Sequence, residues 1–276
     1  YKRQAYYIQI PSTAFVDAAG NAFAGISNKT ALNFITLDVN APSLISSIPS
    51  DNASGVKLDK NIILTFSENI TAGSGKINLF DVNDELIEAF AVSSSIISGS
   101  TVTLNPSADF SSLSAYYIQV PSTAFVDAAG NAFAGISNKT ALNFITLDVN
   151  APSLISSIPS DNASGVKLDK NIILTFSENI TAGSGKINLF DVNDELIEAF
   201  AVSSSIISGS TVTLNPATDL KPETSYYIQI PSTAFTDAAG NNYAGITNKT
   251  EINFTTRKKT PKEAFTEVKD LSLIHI

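Results

Sequence analysis

The sequence of 276 residues contains no cysteine, no methionine and no tryptophan, and its single histidine is His275. Without cysteine, neither a disulfide framework nor a thiolate metal site is possible. Apart from His275, no imidazole is available to act as a general base beside a nucleophile or to bind a metal ion. The common nucleophile–base arrangements therefore lack their base, and we expect a protein that is not an enzyme.

Charged residues are also scarce, at 16%, and the net charge is −9. An acidic chain lacks the clustered Lys and Arg that contact phosphates, so we expect no nucleic-acid partner. No apolar run reaches the roughly 18 residues that cross a bilayer, so we expect no membrane span in this sequence. Hydrophobic residues make up 43%, which is enough to build packed cores.

The two ends of the sequence look foreign to the rest. Residues 1–4 read Tyr-Lys-Arg-Gln, and the opposite strand of one set of codons for them encodes Leu-Ser-Leu-Ile, which stands at 271–274. One DNA adaptor read in both directions would produce both ends. We therefore expect 1–4 and 271–276 to be adaptor-derived, which excludes His275 from the natural sequence.

A repeat of 110 residues governs the part between these ends. Residues 6–106 match residues 116–216 everywhere except at Ile10, which Val120 replaces. A fixed period of this kind indicates an array of similar modules. The sequence predicts the C-terminal part of one repeat at 5–40, whole repeats at 41–150 and 151–256, and a linker or the start of another module at 257–270.

Alternating apolar residues predict short strands in every repeat. In the segment 61–66, Ile62, Leu64 and Phe66 share one face, as the two-residue period of a half-buried strand requires. Further strands are predicted in six segments, at 43–48, 76–80, 85–92, 101–104, 116–120 and 142–144. About seven short strands separated by turn-forming residues are typical of an all-β, Ig-like, Greek-key sandwich.

Each whole repeat resembles the SbsA-type bacterial Ig-like domains of S-layer and large repetitive surface proteins. The residues that carry the resemblance lie at 41–56, 62–68, 103–106 and 125–131, with Asn143 and Phe144, and in the last repeat at 214–220, 237–241 and 254–256. The resemblance implies tandem β-sandwich domains on the outside of a bacterium. It implies a spacer or adhesive array, although a fold does not fix a function.

Calcium is the candidate ligand that the acidic composition favours. Residues 41–150 contain ten Asp plus Glu and four Lys, which gives each repeat a net charge of −6, and hard cations prefer oxygen ligands. Asp38 and Asn40, and one repeat later Asp148 and Asn150, lie at the junctions and are the candidate ligands, loosely like those of calcium-bound cadherin linkers. Glu68 and Asp127 could complete the shell.

Each candidate residue also has an ordinary structural interpretation. Asp148 and Asn150 could simply solvate a turn, and Asp127 could cap backbone amides within 127–131. The carboxylates near one hairpin, namely Asp81, Asp84, Glu85 and Glu88, could form an acid–base pair but are more typical of a polar turn. Tyr116 and Tyr117 suggest a carbohydrate platform, because alternation along a strand predicts that one of the two is exposed.

The sequence therefore predicts non-catalytic spacer or stalk repeats of a secreted or cell-surface bacterial protein. Such an array would support adhesion or interaction with a matrix or S-layer, with calcium as a stiffening ion. Its partners would be neighbouring repeats and a host, matrix or polysaccharide receptor. The alternative is a carbohydrate- or protein-binding module that accompanies an extracellular enzyme. Few residues separate the repeats, so we expect a rod-like array.

Overall fold

The computed structural model describes residues 4–261. Of the expected adaptor segments, only Gln4 lies in this range, and the remainder, with residues 262–270, lies outside it. The chain divides into two compact units at the bond between Asp148 and Val149. The predicted all-β architecture of tandem Ig-like sandwiches is confirmed.

The strands are short because Gly, Pro, Asn and Asp recur between the apolar segments. The first unit contains β1 (Ala5–Tyr7), β2 (Asn33–Ile35), β3 (Leu44–Ile48), β4 (Ala53–Val56), β5 (Ile62–Phe66), β6 (Thr71–Ala72), β7 (Lys76–Asp81), β8 (Leu86–Ala91), β9 (Ile97–Ser98), β10 (Thr101–Leu104), β11 (Ala115–Gln119), β12 (Phe125–Val126) and β13 (Asn143–Thr146). A 3-10 helix, Ser94–Ile96, precedes β9.

The second unit repeats this order. It contains β14 (Leu154–Ile158), β15 (Ala163–Val166), β16 (Ile172–Phe176), β17 (Thr181–Ala182), β18 (Lys186–Asp191), β19 (Leu196–Ala201), β20 (Ile207–Ser208), β21 (Thr211–Leu214), β22 (Ser225–Gln229), β23 (Phe235–Thr236) and β24 (Asn253–Thr256). Its 3-10 helix is Ser204–Ile206.

Two sheets form the sandwich of each complete repeat. In the first repeat, a four-stranded sheet has the order β3-β5-β10-β9 and a five-stranded sheet the order β4-β13-β11-β7-β8. The pair β4 and β13 is parallel, whereas β11 runs antiparallel to both β7 and β13. The second repeat has the same order, β14-β16-β21-β20 and β15-β24-β22-β18-β19.

The core of each repeat lies between its two sheets. In the first repeat, Ile62 and Leu64 of the four-stranded sheet are fully buried. Ile77 and Leu79 of the five-stranded sheet are fully buried as well. The predicted alternation in β5 is therefore confirmed, since Thr65 between Leu64 and Phe66 is only half-buried. Each unit holds its own cluster of buried apolar side chains, so each complete repeat buries a core of its own.

Residues 5–37 contain the same backbone elements without the opposing strands. Strands β1 and β2 pair antiparallel with Tyr6 opposite Phe34, in the register that places Tyr116 opposite Phe144 in the complete repeat. Tyr6 and Phe34 are nevertheless exposed, because within the described residues no second sheet covers them.

Candidate functional site

An acidic cluster lies at one end of the first complete repeat. Asp38 precedes β3, Glu68 follows β5, and Asp127 follows β12. One carboxylate oxygen from each residue lies within 4.8 Å of the others. Asp38 and Glu68 are half-buried and Asp127 is buried, so three segments far apart in sequence bring negative charge to one place.

The turn 127–131 fixes the orientation of the Asp127 carboxylate. Its Oδ1 accepts hydrogen bonds from the backbone N–H groups of Ala129 and Asn131, each at 2.8 Å, and its Oδ2 accepts one from the Asn131 side chain at 2.8 Å. The side-chain hydrogen bond from Asn131 and the backbone N–H groups lower the pKa of Asp127 despite its burial. The carboxylate is therefore ionised at neutral pH and held in place by three N–H donors of its own turn.

Asn131 also binds the linker. Its Nδ2 donates to the backbone carbonyls of Asp38, at 3.1 Å, and of Asn40, at 3.3 Å. The Asn40 N–H in turn donates to the Asp38 carboxylate at 3.1 Å. Asn131 thus joins the Asp127 turn to the segment that leads into the repeat, a role that the sequence did not predict.

The structure places the four predicted metal ligands in different settings. Asp38 lies with Glu68 and Asp127, whereas Asn40 contributes a backbone carbonyl to Asn131 rather than a side chain to the cluster. Asp148 is half-buried, and its carboxylate accepts a hydrogen bond from Ser112 at 3.1 Å. Asn150 is exposed.

The same contacts recur in the second unit. The Asn150 carbonyl accepts a hydrogen bond from the Asn241 side chain at 3.2 Å, as the Asn40 carbonyl does from Asn131. Asn241 also donates to Asp237 through its backbone and its side chain, each at 2.8 Å. The 110-residue period aligns Asp148, Glu178 and Asp237 with the three acidic residues of the first cluster.

The geometry of the cluster suits a hard divalent cation. Calcium binds carboxylate and carbonyl oxygens at about 2.3–2.6 Å, so two oxygens on one ion lie at most about 5 Å apart. The carboxylate oxygens of Asp38, Glu68 and Asp127 lie within 4.8 Å of one another, which meets this requirement. Asp38, Glu68 and Asp127 are the residues that could hold the ion, and Asn131 could position two of them.

The sequence of both units matches one domain family. The family model described as bacterial Ig-like domain matches residues 38–146 and 148–256. The chain belongs to this family. The first match begins at Asp38, so the bacterial Ig-like domain includes the linker residue of the acidic cluster.

Solved structures similar to this chain share little sequence with it. The BSP domain of a biofilm associated protein is 13% identical over 75% of this chain and 29% of that chain, with a TM-score of 0.22. The S-layer protein rSbsC(31-844) is 14% identical over 75% and 34%, with a TM-score of 0.26. A titin I67–I69 variant is 13% identical over 80% and 67%, with a TM-score of 0.37.

This chain thus spans less than a third of the biofilm-associated chain and about a third of the S-layer chain. A search of curated protein sequences found no match.

The acidic hairpin of each bacterial Ig-like repeat uses its carboxylates to stabilise the fold. Asp81 Oδ1 accepts from the N–H groups of Asn83 and Glu85, and Glu88 accepts from the N–H of Ser107 at 2.9 Å. Asp84 lies at a left-handed position, with φ of 68°, and binds other partners. The carboxylates are thus engaged separately, as expected for a polar turn.

The prediction that one tyrosine of the pair is exposed was wrong. Tyr116 and Tyr117 are both buried, at 5% and 6% exposure. Tyr117 lies on the outer face of its sheet, where its ring stacks on Phe80 with centroids 5.1 Å apart. Its hydroxyl donates to Asp84 at 2.9 Å, and Lys139 lies over the ring and pairs with Asp84. This cover removes the aromatic platform that the sequence suggested.

Within residues 4–261, no helix is long and apolar enough to cross a membrane.

Proposed function

We propose that this chain is a segment of a non-catalytic spacer array in a secreted or cell-surface bacterial protein. The observation that carries the proposal is the attachment of each linker to a sandwich. Asp148 binds Ser112 of the first unit, and Asn150 binds Asn241 of the second. The residues on both sides of Val149 are thus each bonded within their own unit, and linker residues anchored in this way suit a stalk.

The negative net charge of the repeats supports an exposed location for such an array. Each repeat carries a net charge of −6, and like charge keeps long repetitive molecules soluble and apart from one another. An array in this position would support adhesion, or contact with a matrix or S-layer, by presenting a binding region at a distance from the cell.

The finer part of the proposal is that calcium stiffens the junctions. Asp38 belongs to the linker, while Glu68 and Asp127 belong to loops of the sandwich. An ion held by all three would join linker and sandwich by bonds that do not depend on side-chain packing. It would also offset the repulsion among three carboxylates, which disfavours the ion-free arrangement.

Thermal unfolding with added calcium tests this part. An ion that binds only the folded form raises stability by about 2.7 kcal/mol when its concentration is 100 times Kd. For a unit of this size we expect Tm to rise by several degrees, on the order of 5–10 °C. The rise should be absent in buffer containing a chelator.

The variant pair Glu68→Gln with Glu178→Gln separates an ion site from a structural cluster. We expect it to lose the calcium response and, because one negative charge is removed from each cluster, to equal or exceed the parent in Tm without calcium. The matched control is Asp17→Asn, since Asp17 makes the same turn contacts with Ala19 and Asn21 but belongs to no such cluster among the described residues. A calcium response that survives in the double variant would refute the site.

Small-angle scattering tests the spacer itself. We expect a narrow distribution of distances between the two repeats in calcium, and freely jointed repeats would contradict the proposed stalk. This outcome is independent of the calcium result. A narrow distance distribution without any calcium response would keep the proposed spacer and refute only the calcium site.

A further inference from the structure

The first and last strands of the five-stranded sheet, in chain order, lie side by side and run parallel in each complete repeat. In the first repeat these strands are β4 and β13. Their register pairs Ala53 with Phe144 and Val56 with Thr146. In the second repeat β15 and β24 form the same parallel pair. The two strands of this sheet that are nearest to the linkers in sequence are therefore bonded to each other.

This pairing decides how a pulling force acts on a repeat. A force on the two linkers draws β4 by its N-terminal end and β13 by its C-terminal end, because β4 follows the N-terminal linker and β13 precedes the C-terminal one. In parallel strands these two pulls point in opposite directions along the strand axis. The hydrogen bonds between strands run across that axis, so the force strains them together and not one after another.

Hydrogen bonds close the pair at both ends. At its N-terminal end, the Asn52 N–H donates to the Asn143 carbonyl at 2.8 Å. Asp51 Oδ1 accepts from the backbone N–H of Asn143 at 3.1 Å and from its side chain at 3.0 Å. At the C-terminal end, the Leu147 N–H donates to the Val56 carbonyl at 2.8 Å. Asp51 thus holds β13 by two bonds that the backbone pairing does not supply.

The second repeat reproduces these bonds. The Asn162 N–H donates to the Asn253 carbonyl at 2.8 Å, and the Arg257 N–H donates to the Val166 carbonyl at 2.9 Å. Asp161 Oδ1 accepts from the backbone N–H of Asn253 at 3.1 Å and from its side chain at 2.8 Å. The arrangement therefore persists although the two repeats differ in sequence after β13 and β24.

The pair also covers the core, whereas β3 covers less of it. Phe144 of β13 is 1% exposed and Val56 of β4 is 9% exposed. In β3, Ile45 and Ile48 are 63% and 48% exposed, and Leu44 is only half-buried. Detaching β3 therefore uncovers little apolar surface, whereas separating β4 from β13 lets water reach the core.

We propose that β4 with β13, and β15 with β24, form a mechanical clamp that resists stretching of the chain from its two ends. Asp51 and Asp161 strengthen the clamp. The inference rests on the proposed stalk function, since a stalk whose far end is held is pulled along its length. Separation of the clamped strands is the main barrier to forced unfolding, which is governed by the unfolding rate and not by the equilibrium free energy.

Single-molecule pulling in two geometries tests the clamp. The chain contains no cysteine, so a pair of introduced cysteines gives unique handles in the full chain. Handles at Ser50 and Leu147 pull β4 and β13 in opposite directions along their axis. Handles at Ser50 and Ala141 pull both strands by their N-terminal ends, so that the bonds open in turn. We expect the second geometry to unfold the repeat at about half the force or less, because fewer bonds share the force at any moment. Equal forces would refute the clamp.

The variant pair Asp51→Ala with Asp161→Ala tests the two aspartates in chains pulled from both ends. We expect unfolding at a given force to become about tenfold faster or more, because Asn143 and its equivalent lose a charged acceptor. Asp51→Asn with Asp161→Asn keeps an acceptor oxygen and should restore most of the resistance. Unfolding of the alanine variant at the parent rate would refute the role of the aspartates.

The matched control is Tyr116→Phe with Tyr226→Phe, which removes hydrogen bonds outside the clamp. Its unfolding rate under force should stay within about twofold of the parent, because those bonds are intact when the clamp opens. An increase as large as that of the alanine variant would show that forced unfolding follows overall stability, which would refute the clamp.

The clamp and the stalk fail in different experiments. Freely jointed repeats in small-angle scattering would remove the stalk, yet the two pulling geometries would still differ in force. Equal forces in the two geometries would remove the clamp, while a narrow distribution of distances between repeats would keep the stalk.

Discussion

Residues 5–37 and 115–147 have nearly the same sequence and the same backbone hydrogen bonds, yet they differ in what they bury. The Asp17 turn repeats the bonds of the Asp127 turn, with Oδ1 accepting from Ala19 and Asn21 at 2.9 and 2.8 Å. Asp17 is nevertheless exposed, and Asp127 is buried in an acidic cluster. Local sequence is thus sufficient for the turns and bridges, whereas burial and the cluster require strands that lie 50 to 90 residues away.

The largest expected difference between the two regions concerns their aromatic side chains. Phe125→Ala removes a fully buried ring and should lower the free energy of unfolding of the first repeat by about 3–5 kcal/mol. Phe15→Ala removes an exposed ring of the same sequence context and should leave that free energy unchanged within about 0.5 kcal/mol. Urea unfolding followed by tyrosine fluorescence measures both, and equal losses would mean that residues 5–37 share the core.

A smaller difference is expected for one tyrosine hydroxyl. The Tyr116 hydroxyl accepts a hydrogen bond from the backbone N–H of Ser111 at 3.0 Å in a part-buried position. Tyr116→Phe leaves that N–H without its acceptor and should cost about 1–3 kcal/mol. Tyr226 binds the N–H of Lys221 in the same way, at 2.9 Å, so Tyr226→Phe should reproduce the loss.

The control for this prediction is Tyr6→Phe. The Tyr6 hydroxyl donates to the side chain of Gln4 in an exposed position. Tyr6→Phe should therefore leave the free energy of unfolding unchanged within experimental error. If Tyr6→Phe lowered the free energy of unfolding as much as Tyr116→Phe, the tyrosine hydroxyl would stabilise the strand pair itself and not the contact between loop and sheet.

Side-chain alternation predicted the central strands but not the edge of the sheet. Ile62, Leu64 and Phe66 are buried as predicted, because a half-buried strand places alternate residues on one face. Strand β4 (Ala53–Val56) was not among the predicted strands, and in the structure Asn52 and Gly55 both adopt positive φ, at 58° and 67°. It forms only by parallel pairing with β13, about 90 residues later, and no local pattern encodes that partner.

The candidate site was predictable in its parts but not in its arrangement. Acidic residues at the junctions indicated Asp38, and the turn motif indicated Asp127, because both features are local. That Asn131 binds the linker carbonyls depends on how the sheets bring 38–40 beside 127–131. The prediction that one tyrosine of the pair is exposed was wrong for the same reason, since Phe80 and Lys139 cover Tyr117 from other segments.

The acid dependence of the two aspartate turns should differ although their hydrogen bonds agree. The side-chain hydrogen bond from Asn131 holds the pKa of Asp127 below its ordinary value, and Asn21 does the same for Asp17. A carboxyl with a lowered folded-state pKa stabilises the fold above its unfolded-state pKa, near 3.8, and loses this contribution as the pH falls through the folded-state pKa. Asp127→Asn, measured with a chelator present, should lower Tm by about 2–6 °C at pH 7, and less as the pH falls below 4.

Asp17→Asn serves as the matched control. Because Asp17 is exposed and its turn lies outside both core clusters found in residues 4–261, we expect no change in the Tm of either repeat at any pH between 3 and 7. A pH-independent loss in Asp127→Asn would instead show that the shape of the side chain matters and its charge does not.

The smallest expected difference concerns Lys139 and its counterpart Lys29. Lys139 pairs with Asp84 in the complete repeat, and that hydrogen bond raises the pKa of Lys139 and lowers the pKa of Asp84. Both side chains are about half exposed, so water screens the pair, and Lys139→Met should lower Tm by only about 1–2 °C. Lys29→Met, which removes a lysine that lies over Tyr7 within residues 5–37, should have no effect on Tm.

The pH profile distinguishes the ion pair from packing of the lysine stem. A raised lysine pKa contributes stability below its unfolded value, near 10.5, and that contribution disappears as the pH rises through the folded-state pKa. At the acid end, Asp84 becomes protonated as the pH falls below about 4 and through its lowered folded-state pKa, and the ion pair again loses its contribution. The Tm difference between parent and Lys139→Met should therefore be flat from about pH 5 to pH 10 and shrink at both ends. A difference that persists at pH 12 would assign the effect to the lysine stem on the Tyr117 ring, since stem packing does not titrate.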